Sequence, residues 1–312
     1  MPRAATATSA GILLAIAAVL TILGVGDAAG ALPDWQAFIL GIVQGFTELL
    51  PISSSGHLIL VPWLGDWTYL EQHDEFNQTF DVALHLGTLV AVVVYFRRDI
   101  GDLLVAFVGS LARRRIRTPD ERVAWIVLVA TIPAALIGAV GESFIADHLG
   151  EPWQIAILLA VFAGVLWVAD RQPTTRTASD LGLWTALGIG FAQALALMPG
   201  VSRSGITISA ARFLKLTRDE AARLSFLLLA PIVLGAVLLK GVTDVLLGEL
   251  PNGWEGPFLV GTLAAAGSGL LAIEWLLGYV RRHDYTLFVV YRLVVAALVL
   301  LLIATGVRSA TF

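Results

Sequence analysis

Residues 41–57 read GIVQGFTELLPISSSGH, and residues 190–206 read GFAQALALMPGVSRSGI. Aligned without a gap at a constant offset of 149 residues, the two stretches share a glycine, a glutamine and a Ser-x-Ser-Gly pattern. The identical pairs are Gly41 and Gly190, Gln44 and Gln193, Ser53 and Ser202, Ser55 and Ser204, and Gly56 and Gly205. Each stretch runs from apolar residues into a proline followed by a serine-containing break. This pattern predicts an internal structural repeat.

The chain around these stretches is too apolar for a water-soluble globule. Of its 312 residues, 57% are hydrophobic and 14% are charged, whereas soluble domains are ~45–50% apolar and ~25% charged. Seven long apolar runs each approach the ~20 residues that a helix needs to cross a bilayer. They lie at residues 11–26, 79–96, 123–141, 153–169, 223–241, 258–280 and 285–307. Such runs predict an all-α, polytopic integral membrane bundle rather than a β-barrel.

Two further totals exclude other classes of protein. The formal net charge is −4, which gives no basic surface for nucleic acid. The chain has no cysteine, so disulfides, a thiol nucleophile and a thiolate metal site are all excluded.

The first apolar run differs from the others. Arg3, an apolar stretch and then GDAAGA fit a cleavable signal peptide, and they fit an additional anchor helix equally well. Both interpretations stay open for residues 1–33. Residues 34–312 are expected to form one membrane domain, with repeats at about 34–170 and about 180–312.

Loop charge predicts the orientation in the membrane. Residues 97–122 contain seven arginines, so the positive-inside rule places this loop in the cytoplasm. Other basic residues mark three further inside loops: Arg171 and Arg176; Arg212, Lys215, Arg218 and Arg223; and Arg281 and Arg282. The segments expected outside contain acids but no lysine or arginine: 66–81, 141–151 and 241–256.

The same charges place both ends of residues 35–65 outside and both ends of residues 181–211 inside. Each of these apolar stretches has 31 residues, whereas two full crossings need ~40. Each stretch is therefore expected to be a helix followed by a shorter re-entrant segment. Opposite entry sides and a shared motif predict an inverted-topology repeat with two re-entrant helix–loop–helix hairpins.

The two breaks are expected to form one anion site. Bare backbone is costly in hydrocarbon, so the breaks must face protein or a wet cavity. Ser53 or Ser54 and, in the second break, Ser202 can cap the short helices that follow. Half-helix N-termini attract anions, and Arg203 adds a charged group that binds phosphate bidentately. Arg203 is therefore predicted to lie within one phosphate's reach of Ser54 and His57.

Glu48 and His57 are the other ionisable residues of the breaks. Glu48 lies four residues after Gln44, so both side chains project from one helix face. His57 fits a general acid or base, a nucleophile or a metal ligand, with a hydrogen-bonded structural role as the alternative. Ser54 fits a nucleophile, although three consecutive serines also satisfy a broken backbone.

Four further polar residues give weaker signals. Asp81 and His85 are four residues apart near the outer end of a span, and either can line the same cavity. Thr207 can donate to a phosphate or to its own helix. Arg292 lies in the last span and is expected to extend its side chain toward the interface.

The two breaks resemble the motifs of a known family. QGFTELLPISSSGH (residues 44–57) and PGVSRSG (residues 199–205) together resemble the undecaprenyl-diphosphate phosphatase family associated with bacitracin resistance. The first is similar to the family's (E/Q)xxxE motif followed by PxSSxGH, and the second to its PGxSRSG motif. The stretches FDVALHLGTLVAVVVYFRRD and DEAARLSFLLLAPIVLGA also resemble the family's flanking segments. The resemblance runs from about residue 34 to the C-terminus.

The resemblance implies an integral plasma-membrane hydrolase. Such an enzyme removes the terminal phosphate of a C55 polyprenyl diphosphate, which recycles the lipid carrier for cell-envelope glycan synthesis. The family's site opens to the extracytoplasmic side between two re-entrant hairpins, and a divalent cation, Mg²⁺ or Ca²⁺, supports its activity. The implied catalytic residues are Glu48, Ser54, His57 and Arg203. The implied phosphate-binding residues are Ser53, Ser55, Gly56, Ser202, Ser204, Gly205 and Thr207.

One departure from the family pattern concerns the metal. Many members carry Glu at the position of Gln44, and an amide is a weaker cation ligand than a carboxylate. Glu48, with Gln44 and substrate phosphates, is therefore the expected ligand set. In the expected mechanism Arg203 and hairpin N–H groups hold the diphosphate. Ser54 or His57 then attacks, or His57 activates the attacking group.

The alternative function is a transporter or flippase of polyprenyl phosphate, because transporters also contain inverted repeats with broken helices. A transporter requires Arg203, but it does not require an acid, a histidine and a nucleophile together. The expected partners are the polyprenyl diphosphate and membrane lipid, without nucleic acid. A homodimer stays open, since the sequence does not determine the oligomeric state.

The predicted orientation can be tested by cysteine labelling, because the chain has no native cysteine. A cysteine introduced by Arg115→Cys should react with an impermeant maleimide only after cells are permeabilised, whereas Thr68→Cys should react on intact cells. Labelling of position 115 on intact cells would reverse the topology and move the predicted site to the cytoplasmic side.

Overall fold

The computed structural model describes residues 3–24, 31–241, 243 and 253–311. Part of the segment 241–256, which is expected outside, and most of the GDAAGA sequence at residues 26–31 lie beyond the described residues. The α-helices are α1 (Arg3–Leu23), α2 (Asp34–Leu49), α3 (Ser54–Gly65), α4 (Tyr69–Gln72), α5 (Asp74–Tyr95), α6 (Arg97–Arg113), α7 (Pro119–His148), α8 (Pro152–Asp170), α9 (Leu183–Ala194), α10 (Arg203–Phe213), α11 (Arg218–Lys240), α12 (Glu255–Val280) and α13 (Thr286–Ala304).

Seven of these helices are long and apolar enough to cross a membrane. The qualifying segments are Ala5–Leu23, Phe76–Tyr95, Pro119–Gly141, Pro152–Asp170, Arg218–Lys240, Glu255–Val280 and Thr286–Ala304. They coincide with the seven apolar runs, so the prediction of an all-α, polytopic membrane protein is confirmed.

Two pairs of shorter helices lie between these spans. Helices α2 and α3 have 16 and 12 residues and are separated by a break at 50–53. Helices α9 and α10 have 12 and 11 residues and are separated by 195–202, which begins with a 3₁₀ turn. None of the four reaches the ~20 residues of a full crossing.

Helix α12 lies at the centre of the bundle, and 78% of its most apolar stretch is buried. Glycines of α2 lie directly against its backbone. A Cβ atom on Gly41 would lie 2.4 Å from the carbonyl oxygen of Gly261, and one on Gly45 would lie 1.9 Å from Ser268 Oγ. Small residues let membrane helices approach closely and gain van der Waals contact. This contact fixes the position of the end of α2, which carries Glu48.

The second pair of short helices makes the corresponding contact with α7. A Cβ atom on Gly190 of α9 would lie 2.6 Å from the carbonyl oxygen of Ala130. Gly190 is the residue that aligns with Gly41 in the repeat. The first helix of each pair therefore packs against a long helix from the other half of the chain.

Helix α1 packs along α12 on a small-residue contact. Ala10 and Ala17 are completely buried, and a Cβ atom on Gly267 would lie 2.8 Å from Leu14 Cγ and 3.1 Å from the carbonyl oxygen of Ala10. The packed helix favours the anchor interpretation of this segment, which stays a prediction.

The α1–α12 contact predicts the effect of a larger side chain at Gly267. In a protein that retains α1, Gly267→Leu should destabilise the fold by about 1–3 kcal/mol, because overpacking displaces neighbouring atoms. Thermal unfolding of the detergent-purified protein measures this loss. Gly235→Leu is the matched control, because no atom lies within 4 Å of a Cβ there. Equal melting temperatures for both variants would show that α1 does not pack on α12.

Candidate active site

Each break ends in a serine that caps the following short helix. Ser53 Oγ accepts a hydrogen bond from the Gly56 N–H, and Ser202 Oγ accepts one from the Gly205 N–H. Both serines have positive φ angles, 79° and 75°. Such backbone persists only where surrounding contacts determine it, and it is concentrated at functional sites. The predicted capping is confirmed, with Ser53 rather than Ser54 as the first cap.

The two breaks are in direct contact, although about 150 residues separate them in sequence. The Gly200 N–H donates to Ser53 Oγ at 3.1 Å, and Ser204 Oγ donates to the Leu50 carbonyl oxygen at 2.8 Å. A backbone group of each break thus bonds to a serine in, or just after, the other break. The prediction that the two breaks meet is confirmed.

Glu48 lies where the two breaks meet and is only 4% exposed. Its Oε1 accepts hydrogen bonds from Arg203 Nη2 at 2.7 Å and from Arg203 Nε at 3.2 Å. Its Oε2 accepts a hydrogen bond from Ser54 Oγ. One carboxylate therefore holds the predicted nucleophile of the first break and the guanidinium of the second.

Ser225 on α11 supports Arg203 and was not indicated by the sequence. Arg203 Nη1 donates to the Ser225 carbonyl oxygen at 2.6 Å. Thr207 Oγ1 donates to the Arg203 carbonyl oxygen at 2.8 Å, and it lies within hydrogen-bond distance of the Ser225 hydroxyl, also at 2.8 Å. Thr207 therefore bonds to its own helix and to α11. A lone serine in an apolar helix carries no sequence signal that separates this role from ordinary backbone bonding.

A cavity of about 260 Å³ opens beside these groups. Its polar wall is formed by Glu48, Ser54, Ser55, Asp81, His85, Gln193 and Arg203. Its apolar wall is formed by Val82, Ala134, Ala196, Leu197, Ile232, Val233 and Ala236. This lining suits a ligand that has a small charged group next to a hydrocarbon part. Seven helices far apart in sequence, α2, α3, α5, α7, α9, α10 and α11, contribute to this one pocket.

His85 is the imidazole that lines the cavity. Its Nδ1–H donates to the Asp81 carbonyl oxygen at 2.7 Å, which directs Nε2 toward Glu48 Oε2 at 3.5 Å. The pair Asp81 and His85 gave only a weak sequence signal, because one histidine in an apolar span is most simply a structural residue.

The His57 ring points away from the cavity, toward α13. Its Nδ1–H donates to the Ser53 carbonyl oxygen at 2.6 Å, and its Nε2 accepts from Tyr291 Oη at 2.8 Å. Both ring nitrogens are thus engaged, and His57 does not belong to the lining of the cavity. The structure brings together Glu48, Ser54 and Arg203, but it joins His57 to α13 instead.

The predicted phosphate-binding residues divide in the same way. Ser55 lines the cavity, whereas the other six shape the backbone around it. Ser53, Ser202 and Ser204 bond to backbone or to each other, with 3.2 Å between Ser202 Oγ and Ser204 Oγ. Gly56 and Gly205 donate to the capping serines, and Thr207 bonds as described.

The residues predicted to hold a cation do not form a cation site in this arrangement. Both Glu48 oxygens already accept hydrogen bonds, and Arg203 places a positive charge beside one of them. Gln44 is completely buried, with neither amide atom hydrogen-bonded, and lies outside the cavity lining. Among the described residues, no group of three or more His, Asp or Glu residues could hold a metal.

Arg292 does not extend to the interface. It is completely buried, so the expectation for this residue was wrong. Its guanidinium donates to main-chain carbonyl oxygens of both breaks, including those of Gly200 at 2.9 Å and Val201 at 3.0 Å. These hydrogen bonds join a side chain to backbone groups of distant segments, and sequence periodicity cannot reveal such contacts.

Comparisons with known proteins identify the family of the chain. Residues 37–298 match the family model described as bacitracin resistance protein BacA. A protein of Rubrobacter xylanophilus named undecaprenyl-diphosphatase is 47% identical over 267 residues, which cover 85% of this chain and 96% of that protein. A protein of Moorella thermoacetica with the same name is 45% identical over 266 residues, covering 85% and 95%.

A third relative, from Thermomicrobium roseum and also named undecaprenyl-diphosphatase, is 45% identical over 283 residues. The alignment covers 88% of this chain and 99% of that protein. The family model matches residues 37–298 of this chain, and the three relatives align with 85–88% of it. The chain therefore belongs to the bacitracin resistance protein BacA family.

Proposed function

We propose that this protein hydrolyses a polyprenyl diphosphate, of the undecaprenyl type, to the monophosphate and inorganic phosphate. The observation that carries the proposal is the convergence of Ser54, Glu48 and Arg203 on one partly apolar cavity. The names of the three relatives support the same activity. In the cell, this reaction returns the lipid carrier to cell-envelope glycan synthesis.

The lining of the cavity suits both parts of such a substrate. Arg203 presents N–H groups to a diphosphate, and the first turn of α3 adds helix N-terminal N–H groups. The alanine, valine, isoleucine and leucine side chains of the opposite wall suit the first isoprene units. The remaining tail lies in membrane lipid between helices.

Hydrolysis proceeds in two displacements in this proposal. In the first, Ser54 Oγ forms a bond to the terminal phosphorus while the bond to the bridging oxygen breaks, and polyprenyl monophosphate leaves with that electron pair. The Ser54 proton moves along its hydrogen bond to Glu48 Oε2. Protonation removes the negative charge of Glu48 as phosphate charge develops beside it. Arg203 then stabilises the transferring phosphoryl group.

In the second displacement, water attacks the phosphorus of phosphoserine and the Ser54 Oγ–P bond breaks. Glu48 returns its proton to Ser54, and both water protons leave with inorganic phosphate. Ser54 is preferred over His57 as the nucleophile because its hydroxyl bonds to Glu48, whereas both ring nitrogens of His57 have other partners.

The divalent cation stays a prediction. Because Glu48 and Gln44 do not form a ready cation site, no step of this mechanism passes through a metal. A Mg²⁺ or Ca²⁺ ion that supports activity would be bound mainly by phosphate oxygens, which is the usual way in which proteins use Mg²⁺ with phosphates.

The finer architecture is also proposed. The paired short helices support an inverted repeat, because α2 packs on α12 while its counterpart α9 packs on α7. Matching serine caps with φ angles of 79° and 75° support two equivalent re-entrant hairpins. With the arginine-rich loop 97–122 in the cytoplasm, the site of this plasma-membrane protein faces the extracytoplasmic side.

A purified protein assay separates this function from lipid-phosphate transport. Phosphate release from the diphosphate in detergent requires chemistry, since no compartments exist there. Failure to release phosphate would favour the transporter. A homodimer is compatible with either function.

Arg203 is expected to be essential as a planar cation. Arg203→Ala should lower kcat by about 10²–10³, the scale for loss of one preorganised electrostatic group. Arg203→Lys should remain impaired although it keeps the charge, because an ammonium lacks the fork that binds phosphate bidentately. Phosphate release and monodispersity are measured for each variant. Arg281→Ala is the control, because Arg281 is exposed, forms an ion pair with Asp219 and does not line the cavity. Near-normal turnover in Arg203→Ala would place the site elsewhere.

Ser54 is expected to be the nucleophile, whereas His57 is not expected to form a bond to phosphorus. Ser54→Ala should lower phosphate release by more than about 10³, the scale on which loss of a nucleophile acts in other hydrolases. Ser55→Ala, in the same cavity wall, should have a much smaller effect. Acid-quenched protein incubated with labelled substrate should carry phosphate on Ser54, and His57→Gln should keep this label. A label that depends on His57 and survives Ser54→Ala would assign the attack to the histidine.

A further inference from the structure

Arg292 is an unusual residue for the middle of a bundle. It lies on α13 and is completely buried. Among the described residues, no carboxylate is close enough to form an ion pair with it, and its partners are main-chain carbonyl oxygens. Withdrawing a cation from water costs several kcal/mol unless its hydrogen bonds are well satisfied. A charged residue at this depth in a membrane protein is a candidate for a functional role.

The hydrogen bonds of Arg292 join the two breaks. Nη2 donates to the carbonyl oxygens of Gly200 and Val201 at 2.9 and 3.0 Å, and Nη1 lies 3.4 Å from that of Pro51. Nε donates to the Leu159 carbonyl oxygen on α8 at 3.2 Å. One rigid guanidinium therefore contacts the first break, the second break and a neighbouring span.

These contacts lie immediately before the reactive residues. Pro51 precedes Ser54 by three residues, and Gly200 precedes Arg203 by three residues. The adjacent Tyr291 donates its hydroxyl to His57 Nε2 at 2.8 Å, and the two rings stack with centroids 5.7 Å apart. The same turn of α13 thus holds the first turn of α3 from behind the cavity.

We infer that Tyr291 and Arg292 are positioning residues for hydrolysis, which hold the two breaks in the register that places Ser54 opposite Arg203. This inference rests on the proposed function. Neither residue belongs to the cavity lining, so both act through the backbone and His57. His57 is in this view part of the support of α3 rather than a group that contacts the diphosphate.

Register is important because phosphoryl transfer depends on orientation. Misplacement of a reacting group by about 1 Å can cost about 10²-fold in rate. A lysine at position 292 keeps the charge but carries one compact ammonium, which cannot reach carbonyl oxygens of both breaks at once. The breaks would then keep their serine contacts and lose the support behind them.

The first test compares Arg292→Lys with Arg212→Lys. Arg212 is the matched control because it is also buried and donates to carbonyl oxygens, those of Asp170, Gln172 and Leu216, and none of these four residues lines the cavity. Both variants should lose thermal stability. Only Arg292→Lys should lower kcat in the folded fraction, by about 10², with KM changed much less. Equal kcat for the two folded variants would overturn the inference.

A double-mutant cycle with Arg203→Lys separates positioning from stability. If Arg292 acts by aligning Arg203 with Ser54, Arg292→Lys should have a much smaller effect in the Arg203→Lys background, because coupled residues are not additive. If Arg292 had only a structural role, the decreases in kcat of the two single variants would multiply in the double variant. If Arg292→Lys lowers kcat by the same factor in both backgrounds while the wild-type protein is active, the positioning role is rejected and the proposed function still stands. A wild-type protein that releases no phosphate would instead reject the proposed function, and with it the positioning role.

Tyr291→Phe provides a variant that is expected to fold, because it removes one hydroxyl from a partly exposed side chain. It should lower kcat several-fold without a matching fall in melting temperature, and His57→Gln should add little to it. Unchanged kcat in Tyr291→Phe would remove Tyr291 from the inference. If Arg292→Lys also failed to fold, that result would reject the positioning role as a whole.

Discussion

An interrupted helix inside a bilayer leaves backbone N–H and C=O groups that no water can satisfy. In this protein the two interruptions satisfy each other. The Gly200 N–H bonds to a serine of the first break, and the Leu50 carbonyl oxygen bonds to a serine of the second. Each break thus supplies hydrogen-bond partners for backbone groups of the other, so the fold depends on bringing the two together. The geometry of the candidate site follows from that requirement, because Ser54 and Arg203 come directly after the two breaks.

The proposed repeat also explains how one candidate site obtains unlike groups. At the offset of 149 residues, Glu48 aligns with Leu197 and Ser54 aligns with Arg203. Two similar backbones therefore present a carboxylate and a hydroxyl from one side and a guanidinium from the other. Glu48 is buried and Arg203 is largely buried, and such a pair is weak evidence for stability because of its desolvation cost. Its place beside the cavity is better explained by chemistry.

Two histidines illustrate the limit of motif-based assignment. His57 lies within the conspicuous PISSSGH motif, yet its ring bonds to Ser53 and Tyr291 behind the cavity. His85 lies in an ordinary apolar span and points its Nε2 at Glu48. Proximity in sequence to a reactive serine does not fix the direction of a side chain. Ser54 and His57 are three residues apart on one helix, and the hydrogen bonds of the His57 ring, rather than its position in the motif, direct it away from the cavity.

The sequence by itself determined the membrane class, the seven spans, the two breaks and their serine caps. These features follow from local physics: the length of apolar runs, the cost of bare backbone in lipid and the capping preference of serine. Glu48, Ser54 and Arg203 were also identified from the sequence, because ionisable and nucleophilic residues are rare within apolar stretches. Only the tertiary structure decided that Ser225 supports Arg203, that His85 rather than His57 lines the cavity, and that Arg292 joins the breaks. These contacts link residues 22 to 241 positions apart, and they depend on helix rotation and close packing, which no local pattern encodes.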